Sequence, residues 1–148
     1  MAASMLSPAA LAYLGDAVCE LYVRELLVEL GFTSSARLNR FALDFVRATA
    51  QAEAVSRIMP MLSEEEAALF RRGRNHSLPN VPKSATMREY RQATGFEVLL
   101  GGLYHDGQTA RLRTLMAAAY APEIAAVRAE LGLAPAPDDQ TERKDDPS

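Results

Sequence analysis

The chain has a single cysteine and no tryptophan. One thiol cannot close an internal disulfide, so the fold must stand on packing alone. Cys19 falls in an apolar stretch and reads as a small core residue, in keeping with a reducing, cytoplasmic setting. No apolar run approaches the roughly 18 residues that a membrane span needs. The opening Met1-Ala2-Ala3-Ser4-Met5-Leu6 lacks the basic start and long apolar stretch of a signal peptide. No segment alternates apolar and polar residues long enough to make a convincing strand, and no internal repeat is visible. With 49% hydrophobic and 24% charged residues, the composition is that of an ordinary globular chain, and 148 residues suit one domain with a real core.

Net positive charge is also missing. The total of −3 looks wrong for a nucleic-acid binder until the chain is divided. Residues 135–148 hold Asp138, Asp139, Glu142, Asp145 and Asp146 against Arg143 and Lys144, and carry all of the −3. This Pro/Asp-rich tail is expected to be disordered, leaving residues 1–134 as the folded domain. Residues 71–91 hold Arg71, Arg72, Arg74, Lys83, Arg88 and Arg91 against Glu89 alone, a net of +5. Where charge sits matters more to a polyanion than the sum.

What is present is helical punctuation. Ser7 and Pro8 suit a cap and first turn, and Gly31 suits a stop, so a helix is expected from residue 8 to about 30. Its apolar stripe reads as Leu11, Leu14, Val18, Leu21 and Tyr22, with Ala9, Ala12, Tyr13, Asp16 and Glu20 opposite. A second helical stretch runs from Ser34 or Ser35 to about Met59, with a break near Thr49. Ser63 and Glu66 form a capping box for a helix reaching about Arg72. Residues 73–84, with two prolines and a glycine, read as a basic loop. Ser84 is placed to cap a helix from 85 to about 105, with His105 at its end near the last carbonyls. Helices over residues 109–119 and from 122 to just before Gly132 follow. The fold class is all-α, with about six to eight helices.

Two carboxylates then draw notice. Asp16 sits beside Ala12, and Glu97 beside Ala93 and Gly101, in otherwise apolar helices. Gly95, Gly101 and Gly102 each cost about 1 kcal/mol in a helix interior, which points to another helix crossing close by. If the two faces meet, the carboxylates become neighbours and need a cation such as Mg²⁺, which takes one or two carboxylates plus waters and phosphate oxygens. A solvated acidic face is the plainer reading of either residue taken alone.

Leu14-Gly15-Asp16-Ala17-Val18 with Glu20 resembles the Leu-Gly-Asp-Ala signature of the ribonuclease III endonuclease domain, and residues 96–104 resemble its second acidic motif. The closer resemblance is to the short bacterial branch, Mini-ribonuclease III. It is carried by residues 12–18 and 20–24, by Gln51-Ala52-Glu53, by Arg72-Gly73-Arg74-Asn75, by Pro82-Lys83 and by Tyr90-Arg91. The likeness runs in order over roughly residues 7 to 120.

It implies a Mg²⁺-dependent homodimer that cuts double-stranded RNA, each subunit cutting one strand, with large-subunit (23S) ribosomal RNA precursor as the usual substrate. A ribosomal protein that presents that substrate is a further partner to test. Asp16 and Glu97 match the catalytic, metal-ligating pair. Full-length ribonuclease III has two more acidic residues where this chain has Ala9 and Thr94. A thinner metal shell follows, with Glu20 and Thr94 one layer further out. Only 41 residues follow Gly107, which leaves no room for a double-stranded-RNA-binding domain. Affinity then falls to Arg71, Arg72, Arg74, Asn75, Lys83, Tyr90 and Arg91. The rival reading is a catalytically weak helical RNA-binding factor that uses residues 71–91.

Overall fold

The computed structural model describes residues 1–76 and 86–134. The expectations for Lys83, for Ser84 as a cap and for the acidic tail lie outside the described residues. Within them the chain forms seven α-helices and no strand: α1 Pro8–Glu29, α2 Ser35–Val46, α3 Ala48–Ile58, α4 Glu64–Arg74, α5 Met87–His105, α6 Thr109–Ala119 and α7 Ala121–Glu130. Short 3-10 turns, Ala3–Met5 and Met59–Met61, precede α1 and α4.

The local signals explain most boundaries. The Ser7 hydroxyl accepts from the Ala10 amide at 3.1 Å and caps α1. Gly31 takes the left-handed conformation that ends it, φ +104°. Ser63 and Glu66 cap each other's backbone at the head of α4. Three boundaries differ from the sequence expectation. The break between α2 and α3 falls at Arg47, whose backbone is extended, rather than near Thr49. Helix α4 runs on through Gly73 to Arg74, because Gly73 packs against α5 at Gly95 and is held in the helix by that contact. The N-cap of α5 is Thr86, which forms a full capping box with Glu89.

Helix α5 is the axle of the fold, packed against α1, α3, α4 and α6. Phe96, Leu99, Leu100 and Leu103 are buried at the centre, with Phe45, Phe70 and Tyr120 closing on them. The Tyr120 hydroxyl donates to the Phe45 carbonyl at 2.7 Å, so the largest buried ring brings its polar tip to a partner. Truncating a buried leucine here to alanine is expected to cost about 2–5 kcal/mol.

The buried line of α1 differs from the apolar stripe in the sequence. It runs through Leu11, Gly15, Val18, Cys19, Val23 and Leu27, while Leu21 is 54% exposed. The reason is steric. The closest approach of α1 to α5 is made by a glycine, which a hydrophobicity pattern does not count. A Cβ on Gly15 would fall on the Glu97 carbonyl, and one on Gly101 would fall on the Leu11 carbonyl. Each helix offers a glycine where the other offers its backbone, so the two come closer than side chains permit.

Candidate active site

The α1–α5 crossing builds the site. Gly15 presses on the backbone of Glu97, and Asp16 is the next residue of α1. Asp16 is exposed and Glu97 is half-buried. Burial, and then the negative charge of Asp16, push the Glu97 carboxyl up to about 8. Among the described residues neither carboxylate makes an ion pair. Arginines elsewhere neutralise their acidic neighbours: Arg57 with Glu123 at 2.9 Å, Arg111 with Glu66 at 2.9 Å and Arg113 with Glu25 at 2.6 Å. The Asp16–Glu97 pair is left without such compensation.

That donor set suits a hard divalent cation. Two carboxylate groups, one open to solvent, leave room for waters and phosphate oxygens to complete an octahedron. No cluster of three or more His, Cys, Asp or Glu side chains suited to a metal exists among the described residues.

The residues expected one layer out have other engagements. Glu20 pairs along the helix with Arg24 at 3.8 Å, well exposed. Thr94 is buried and donates its hydroxyl to the Tyr90 carbonyl at 3.0 Å, which leaves its lone pairs as its remaining polar capacity. Behind the pair lies a buried group. Tyr120 and the Gln51 amide each approach the Cys19 sulfur at 3.7 Å. Burial pushes the Cys19 thiol up to about 11, so it is inert packing, as its sequence context suggests.

The basic residues divide. Arg71 and Arg91 are exposed and Tyr90 is half-buried. Arg72 turns away from solvent, and its Nη2 donates to the Leu6 carbonyl, tying α4 to the segment before α1. It is a strut, which its place in a run of arginines does not reveal. His105 likewise serves the N-terminal segment, its Nε2 donating to the Met1 carbonyl at 2.7 Å rather than to its own helix. Arg74 lies over the Phe70 ring, 5.8 Å from its centroid, and its Nε donates to Asn75 at 3.2 Å. Arg74, Asn75, Met87, Arg88, Arg91 and Gln92 line one cleft of about 460 Å³. Arg88 and Gln92 are absent from the RNA-binding set read from the sequence. Arg88 lies three residues before Arg91 and four before Gln92, the helical spacings that make it a neighbour of both.

The Ribonuclease III domain family matches residues 9–108. Mini-ribonuclease 3 of Symbiobacterium thermophilum is 49% identical over 114 residues, covering 77% of this chain and 88% of that protein. Mini-ribonuclease 3 of Enterococcus faecalis is 44% identical over 109 residues, covering 72% and 83%. A crystal structure of a Fusobacterium nucleatum protein superposes with a TM-score of 0.70 at 28% identity, over 76% of this chain and 89% of that one. The chain belongs to the ribonuclease III family, in its Mini-ribonuclease 3 branch, and is an endoribonuclease of that type.

Proposed function

We propose that the protein is a Mg²⁺-dependent nuclease of double-stranded RNA, acting as a cytoplasmic homodimer in maturation of the 23S ribosomal RNA precursor. The observation that carries this reading is the uncompensated Asp16–Glu97 pair at a helix crossing. A divalent ion held there supplies an activated water and charge neutralisation at the phosphate under attack. Asp16, exposed, and Glu97, half-buried, would hold that ion, and the Glu97 carboxyl would give up its proton to do so. Arg71, Arg74, Asn75, Tyr90 and Arg91 supply contacts to phosphates and 2′-hydroxyls, the features by which A-form duplexes are recognised.

The homodimer is supported by the outer face of α1. Tyr13 is 87% exposed, Leu21 54% and Val28 60%, with Ala17 between them. These residues recur at i, i+4, i+8 and i+15, a helical stripe next to Asp16. An apolar stripe in water asks for a cover. A second copy seated there brings two Asp16–Glu97 sites together, as cutting both strands requires. No helix among the described residues is long and apolar enough to cross a membrane.

The deciding experiment is cleavage of a long double-stranded RNA and of 23S precursor, with Mg²⁺ and with a chelator, by the wild type and by Asp16→Asn. The expected result is cutting by the wild type with Mg²⁺ alone and binding without cutting by the variant. The loss should exceed the 10–100-fold typical of an outer hydrogen bond to a metal ligand. Binding that never leads to cutting, across metals and salts, would favour an RNA-binding factor instead. Cutting of precursor only after a ribosomal protein is added would identify that protein as a partner.

A further inference from the structure

We propose that the cleft between the end of α4 and the start of α5 is an RNA-backbone subsite in which Arg74, Arg88 and Arg91 hold a phosphate and the Gln92 amide takes the adjacent 2′-hydroxyl. This rests on the reading of the chain as a nuclease of double-stranded RNA, and it adds a residue that separates RNA from other A-form duplexes.

Three observations meet in the cleft. The first is charge without neutralisation. Arg57, Arg111 and Arg113 are paired with carboxylates, whereas Arg74, Arg88 and Arg91 make no ion pair among the described residues. Glu89, the carboxylate nearest in sequence, is taken up by the capping box, where its oxygen accepts from the Thr86 amide at 3.0 Å. Three guanidinium groups around one cleft are an anion site.

The second is Gln92. Its side-chain oxygen is buried and has no hydrogen-bond partner among the described residues, yet the residue lines this cleft. A buried acceptor left bare is costly, and a ligand donor relieves it. A phosphate offers only acceptors. The ribose 2′-hydroxyl beside it offers a donor, and because it also accepts, it meets the amide in either orientation.

The third is placement. The cleft holds about 460 Å³, more than a lone anion fills. It opens on the flank of α5 that Gly95 lays against α4, not on the flank that carries Glu97 to α1. Gln92 precedes Glu97 by five residues, about 7.5 Å along the helix axis. The subsite therefore grips the duplex away from the cut bond and sets its register against Asp16 and Glu97.

The test is binding in a chelator, where nothing is cut, of a short all-RNA duplex and of the same duplex carrying 2′-fluoro groups, which keep the A-form but remove the donor. The wild type is expected to bind the all-RNA duplex more tightly. Gln92→Met, close in size, is expected to narrow that gap by about three- to tenfold, the worth of one hydrogen bond. Arg88→Ala is expected to weaken both duplexes alike and to reduce the salt dependence by about one phosphate contact. Melting temperature is followed throughout, and Gln92→Leu replaces the methionine variant if that one does not fold. A gap that Gln92→Met leaves unchanged, or no gap in the wild type, overturns the proposal. Cleavage of the all-RNA duplex by the same wild-type preparation with Mg²⁺ separates the two levels. If it cuts and the gap is unchanged, only the subsite fails; if it neither cuts nor binds, both readings fail.

Discussion

The backbone of Gly15 rests on the carbonyl of Glu97. That contact brings two carboxylates from distant parts of the chain to one place, and its tightness is why the residue before Asp16 has no side chain. The site is thus positioned by backbone against backbone, the least compliant contact a helix pair can make.

Gly15→Ala is expected to destabilise the protein by about 1–3 kcal/mol or more, since the added methyl meets main chain that cannot rotate away. Gly101→Ala meets the Leu11 carbonyl and is expected to cost a similar amount. Denaturant unfolding measures both. In cleavage assays on folded protein, Gly15→Ala should lose more, because it displaces Glu97 directly. Equal losses would show that the crossing tolerates a shift without moving the carboxylates apart.

Glu97 makes the metal-free protein sensitive to pH. Its carboxyl sits at about 8 in the folded chain against an ordinary value of 4.5, for burial first and the Asp16 charge second. Between these values the folded state holds a proton that the unfolded chain has released. Stability therefore falls as pH rises from the lower value through about 8, and is fully present only below it. Melting curves in a chelator should show this slope for the wild type and a flatter one for Glu97→Gln, with the variant the more stable near pH 8. A divalent cation should restore the wild type alone.

Glu66 behaves in the opposite sense. Arg111 grips it with two hydrogen bonds of 2.9 Å, Nε to Oε2 and Nη2 to Oε1, and holds its carboxyl below the usual range. The stability this pair contributes is present above the ordinary carboxylate value and is lost as pH falls through the lowered one. Arg111→Met should cost about 1.5–3 kcal/mol near neutral pH, the worth of hydrogen bonds to a charged group. It should cost much less in acid, where Glu66 is protonated. A cost independent of pH would point to packing of the arginine stem instead.

Tyr13→Asp is expected to shift sedimentation to the monomer and to abolish cutting of both strands, while leaving the melting profile of the subunit close to the wild type. The side chain is 87% exposed, so the change disturbs no intrachain packing. A dimer that survives the substitution would place the subunit contact on another face.

Much of this was readable from residue order, where the cause is local. Ser7, Gly31 and the Ser63–Glu66 box act on backbone groups within a turn, so the helices they bound are visible in the chain. Arg47 was not, because an arginine carries no breaking signal and its extended backbone follows from how α2 and α3 pack. Either the Ser84 or the Thr86 hydroxyl suits a cap, and only Thr86 has Glu89 three residues on to close the box. Arg72 reads as one more basic residue until its guanidinium is seen on the Leu6 carbonyl. Gln92 carries no signal of its own; that its oxygen is buried without a partner among the described residues is visible only in the folded chain.

The sequence by itself determined the helical class, most helix ends and the family, and it singled out the two carboxylates as candidates, because periodicity, capping and motif order are properties of neighbouring residues. Only the tertiary structure decided that Gly15 rather than Leu21 faces the core, that Glu97 is buried enough to hold its proton, and that three arginines share a cleft with an unsatisfied amide. Each of those depends on the distance between helices, and that distance is set by which side chains are absent at the crossing.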